Sequence, residues 1–160
     1  MKKVVLITLI LGIMASGVWW QYHRSHRPQL ANVVDYESDL TEQLLNGIFQ
    51  ELDQGEQLVY FVAFGQTPTD PHDTFLERFT NHVPPVLKFS SCVTPPNGMV
   101  IDARDGRLGV IVQIISIKPC SGGEFDVLVA FSNQPSKHDR FIYHLVNKDG
   151  GWQVLGRKSA

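Results

Sequence analysis

The chain has 160 residues, 43% hydrophobic and 19% charged, which fits one core-forming domain and excludes a globally disordered chain. The formal net charge of −2 is unevenly placed, because Lys2, Lys3, Arg24 and Arg27 flank an N-terminal hydrophobic run and only ten Lys and Arg face 16 acidic residues after it. An acidic domain without a basic stripe argues against nucleic acid as a partner, since Lys and Arg supply most of the affinity for phosphate backbones.

Residues 4–20 carry no charge and are mostly Val, Leu, Ile, Met and Gly. As a helix they span about 25 Å, near the lower limit for a hydrocarbon core of about 30 Å. Two readings compete. In one, the run is the core of a signal peptide cleaved near Gly17, after the small residues Ala15-Ser16-Gly17, which leaves a secreted or periplasmic protein. In the other it stays as a single-pass anchor, with Trp19, Trp20 and Tyr22 at the interface, and this aromatic cluster favours the anchor. No Cys directly follows the run, which excludes a bacterial lipoprotein anchor. Residues 1–27 are thus a signal anchor or signal peptide with a juxtamembrane segment, 28–36 a linker and 37–160 a single domain, expected outside the cytoplasm.

Within the domain, Asp39-Leu-Thr-Glu42 fits a capping box, and Leu40, Leu44, Leu45, Ile48, Phe49 and Leu52 form one helical stripe that ends at Gly55. Residues 58–64 are β-rich and apolar on both faces, as in a buried strand. Asp70-Pro71-His72-Asp73 reads as a second helix start with Asp70 as N-cap, and Pro84-Pro85 stops that helix. Residues 85–93 are extended, an edge that could pair with another chain, and turns are expected at 95–98 and 104–106. A long central strand over 108–118 follows, then alternating strands around Phe125–Phe131 and Arg140–Val146, a hairpin containing Asp149-Gly150 and a last strand over 152–155. The expected fold is α+β: an N-terminal hydrophobic helix, then two helices packed on a curved antiparallel sheet of about five or six strands.

The run 59–65, Asp70-Pro71, Ser90-Ser-Cys92, Asp102-Ala-Arg-Asp-Gly106 and Gly150-Gly-Trp-Gln-Val154 together resemble a domain of unknown function found in small bacterial envelope proteins. The resemblance covers most of residues 59–154 and implies no activity. By fold alone, the order of elements is similar to cystatin-like or nuclear-transport-factor-like cones, in which helices pack on a curved sheet.

Cys92 and Cys120 are the only cysteines, and in an oxidising compartment they are expected to pair. A loop of that length makes the bond worth about 3 kcal/mol in the chain-entropy model. Asp102, Asp105 and Gly106 miss the calcium-loop spacing and read as a hairpin turn. His72, His82, His138 and His144 form no ligand pair, so neither a metal nor a cofactor is expected.

One constellation depends on register. If Phe131 pairs with Asp139, Asp126 lies opposite His144, and a hairpin turning at Lys148-Asp149 adds Gln153, with Arg140 and Glu124 nearby. A carboxylate beside an imidazole raises its pKa and orients it. Asp126 and His144 are therefore weak catalytic candidates, and Arg140 and Gln153 weak binding candidates. The expected function is a membrane-anchored extracytoplasmic binding or interaction domain, held through residues 4–20 and meeting an envelope protein partner. The alternative is a small hydrolase or isomerase with the Asp/His pair in a cone-shaped pocket.

Overall fold

The structure, a computed structural model, describes residues 35–52, 58–96, 98–134 and 137–160, without the side chains of 137 and 138. The hydrophobic segment, its cleavage site and most of the linker lie outside the described residues. Among the described residues no helix is long and apolar enough to cross a membrane.

The domain is α+β. Helix α1 (Asp39–Leu52) leads to strand β1 (Val59–Phe64), and the short helix α2 (Asp73–Leu76) continues into a 3-10 turn at Glu77–Phe79. Strands β2 (Val86–Lys88), β3 (Cys92–Val93), β4 (Ile101–Asp102), β5 (Gly109–Pro119), β6 (Glu124–Gln134), β7 (Lys137–Lys148) and β8 (Gly151–Ser159) follow. Six strands form one sheet in the order β2-β1-β5-β6-β7-β8, and β3 pairs with β4 as a separate two-stranded arm.

The sheet is mixed, which corrects the expected antiparallel sheet. Strands β5 to β8 form an antiparallel meander, but β1 runs parallel to both β2 and β5. The reason is the connection. The chain leaves β1, passes through α2 and returns as β2, and such a crossover, unlike a hairpin, delivers a parallel neighbour. All six residues of β1 are buried, as a strand covered on both faces requires.

One face of the sheet carries the main core. Leu40, Leu44, Leu45, Ile48 and Phe49 of α1 are buried against Tyr60, Val62, Val112, Ile114, Val127, Val129 and Leu145. The Phe49 ring stacks on Tyr60 at 4.5 Å, and Phe79 meets Phe49 edge-on at 5.9 Å. Two helix starts differ from expectation. Glu42 N–H bonds to Ser38, one residue earlier than the expected cap, while the Asp39 and Glu42 carboxylates instead accept hydrogen bonds from Arg78 at 2.9 and 2.8 Å. Likewise α2 starts after His72, and Asp70 accepts the Ser90 N–H at 2.8 Å.

Among the described residues, no α-helix covers the opposite face. The β3–β4 arm covers one side of it, where Val59, Phe61 and Val100 form a small second core with Leu87, Cys92 and Ile111. Gly109 lets β5 lie close beside β1 on this face: a Cβ there would lie 2.3 Å from the Phe61 ring and 2.8 Å from the Val59 carbonyl. The rest of this face, over β5 to β8, is uncovered by any described element.

Candidate functional site

Two features share the helix-free face. The first is a pocket of about 310 Å³ between the arm and the sheet, lined by Pro68, Phe89, Cys92, Val93, Ile111 and Ala130, with Thr94, Gln113 and Ser132 as its polar members. Gln113 is fixed by donating to the Gly65 carbonyl at 2.7 Å, and the Ser132 hydroxyl donates to the Gln134 carbonyl. Burial pushes the Cys92 thiol above its ordinary pKa, so it stays protonated and behaves as an apolar wall.

The second feature is polar and lies further along β6 and β7. Phe131 pairs with Asp139 and Asp126 with His144, the register supposed from the sequence. His144 Nδ1 lies 2.8 Å from Asp126 Oδ1, and Nε2 lies 3.2 Å from Glu124 Oε2. The hydrogen bond to Asp126 raises the His144 pKa, and Glu124 adds to the shift; the same bond lowers Asp126, with Lys158 contributing. A carboxylate only accepts, so the ring, when protonated, donates to both of them from its two nitrogens.

Gln153 and Arg140 do not join this pair. Gln153 stands opposite Val146, and Gly156 takes the place facing His144. The hairpin turns at Asp149-Gly150, both with positive φ, and Leu155 bulges out of β8, so the register moves away from the expected one. Arg140 lies four residues from His144 along β7, opposite Ala130, and its backbone carbonyl accepts the Ala160 N–H.

The expected disulfide is absent: Cys92 and Cys120 are both free. Cys92 lines the pocket beside Ala130, whereas Cys120 follows β5 next to Asp126. Ala130 and Asp126 are four residues apart on one strand, about 13 Å, well beyond the reach of about 7 Å between bridged Cα atoms. Cys120 is instead a member of the polar feature that sequence reasoning missed. Lys118 pairs with Asp126, and counting the β5–β6 hairpin two residues further puts Cys120 on the same face. Ending the expected strand at residue 118 hid that signal.

The remaining candidates have structural partners. Both Asp102 oxygens are held by Arg104, at 3.2 and 2.9 Å, which makes this segment a hairpin turn. His82 Nδ1 lies 2.7 Å from the Pro84 carbonyl, and His72 Nδ1 lies 2.8 Å from Glu37. The His138 side chain lies outside the described residues. Comparison with protein-family models, curated proteins and solved structures finds no match for this chain.

Proposed function

We propose that this chain is a membrane-anchored, extracytoplasmic binding domain whose working surface is the helix-free face, where the apolar pocket receives a hydrophobic side chain of an envelope protein partner. The observation that carries this reading is the pocket, a concavity of about 310 Å³ with six largely apolar walls. Its volume is at the lower end for ligand sites, about 300–1,000 Å³, and suits a single large anchoring side chain of the kind that dominates interface energetics. The location rests on uncharged residues 4–20 between Lys3 and the Trp19-Trp20 pair, and the resemblance to a bacterial envelope domain agrees with it. The hydrolase or isomerase alternative is less supported, because a general base needs a free nitrogen lone pair and both nitrogens of His144 face carboxylates.

The test is methyl NMR of the full-length chain in lipid nanodiscs, titrated with N-acetyl-tryptophanamide as a surrogate for the anchoring side chain. Signals of Ile111, Val93 and Ala130 are expected to shift while those of Leu44 and Ile48 in the main core stay fixed, and Ala130→Trp should fill the pocket and remove the response. Pocket methyls that ignore the probe, or a response that survives Ala130→Trp, would overturn the reading.

A further inference from the structure

We propose that Cys120, Asp126 and His144 form a site for one divalent transition-metal ion of the zinc type, with Glu124 as the carboxylate that orients the histidine ring. The Cys120 sulfur, an Asp126 oxygen and a His144 ring nitrogen all lie within 4.8 Å of one another. Around a tetrahedral zinc ion, with bonds of about 2.0–2.3 Å, donors sit about 3.3–3.8 Å apart. The cluster therefore needs adjustments of up to about 1.5 Å, and Cys120, at the mouth of a hairpin, is the donor placed to make the largest.

The surroundings of the ring fit this use. Nδ1 faces Asp126, while Nε2 faces Glu124 at 3.2 Å. Histidine ligands characteristically donate their second N–H to a carboxylate, which fixes ring orientation and raises basicity. An ion that replaces the Nδ1 proton leaves the Glu124 contact intact. Gly156 faces His144 with no side chain, and a Cβ there would meet nothing within 4 Å. The opening it leaves is about 430 Å³, lined also by Ile142, Arg157 and Lys158, with room for water as a fourth ligand.

The donor set selects the ion. A thiolate, an imidazole and one carboxylate suit zinc or cobalt, whereas calcium and magnesium take oxygen ligands. Thiolate and carboxylate together neutralise a double positive charge, and Glu124 offsets the positive charge that Lys158 brings near Asp126. Binding releases the thiol proton and the Nδ1 proton to solvent, and the ion accepts the two lone pairs; no oxidation state changes. This site is separate from the apolar pocket, and its test reads metal rather than an apolar probe.

The test is titration of the full-length chain in detergent, stripped of metal and kept reduced with a phosphine, with Co²⁺ and then Zn²⁺. Saturation at one Co²⁺ per chain is expected, with sulfur-to-cobalt charge-transfer absorption that Zn²⁺ abolishes. Cys120→Ser should remove the charge-transfer band, and Asp126→Asn, His144→Gln and Glu124→Gln should each weaken binding by about tenfold or more. Glu124→Gln should keep the band at saturation, and Cys92→Ser should change nothing. Absence of a charge-transfer band in the unmodified chain, its loss in Cys92→Ser, or affinity unaltered by all of the cluster substitutions would overturn the proposal.

Discussion

His144 Nδ1 lies 2.8 Å from Asp126 Oδ1, with the two residues directly opposite each other on β7 and β6. The contact joins two adjacent strands of the meander on a face no helix supports. Cross-strand charged pairs stabilise a sheet only while both partners are present. Asp126→Asn and His144→Gln should each lower the urea midpoint, and the double variant should lose less than the two losses added together. Strict additivity in urea melts would show that the two side chains do not depend on each other.

Gly109 lies tightly against β1: a Cβ there would meet the Phe61 ring and the Val59 carbonyl, next to the small core that Val59 and Phe61 form with Val100. Gly109→Ala should destabilise the domain by about 1–3 kcal/mol through overpacking, measured by urea denaturation. A neutral substitution would mean that β5 does not approach β1 at Gly109 as described.

Asp102 links stability to pH. Its buried carboxylate is held by the Arg104 side chain and backbone N–H, and those hydrogen bonds keep its pKa below the ordinary 3.8. A group with a depressed folded-state pKa stabilises fully above its unfolded value, and that stability is lost as pH falls through the folded value. Urea melts from neutral pH into acid should therefore show stability falling below about pH 4. Asp102→Asn should be less stable at neutral pH and show a smaller acid-induced loss. Parallel profiles for the two proteins would contradict the assignment.

The two cysteines behave differently because of where they sit. Both should be recovered as thiols from protein purified without reductant and then unfolded, with Cys120 reacting much faster in the native state because it is exposed and Cys92 is half-buried. An intact mass lower by two hydrogens would instead report a bridge between them.

Some of this was legible in the sequence and some was not. The buried stripe of α1 followed from Leu40, Leu44, Leu45, Ile48 and Phe49 at helical spacing, and each of the five is buried. The Asp126–His144 pairing followed from supposing that Phe131 pairs with Asp139, as it does; alternation alone excludes a one-residue slip, which would turn the other face inward, but not a slip of two. Gln153 was misplaced because the hairpin turns at Asp149-Gly150 and not at Lys148-Asp149, which pairs Gln153 with Val146; the Leu155 bulge, unmarked because Val154 and Leu155 are both apolar, then brings Gly156 opposite His144. The parallel pairing of β1 was hidden for a related reason. A strand apolar on both faces carries no direction signal, and its partners β2 and β5 lie far along the chain. Cys120 joined the wrong partner because a count of two cysteines invites a bridge, whereas their places on the sheet forbid it.

The most direct measurement is labelling of intact bacterial cells, producing the full-length chain, with a maleimide that cannot cross the cytoplasmic membrane, after chelation of zinc. Cys120 should be labelled in intact cells, and Cys120→Ser should remove most of the signal. Labelling that appears only after the cells are broken would place the domain on the cytoplasmic side and contradict an extracytoplasmic binding role.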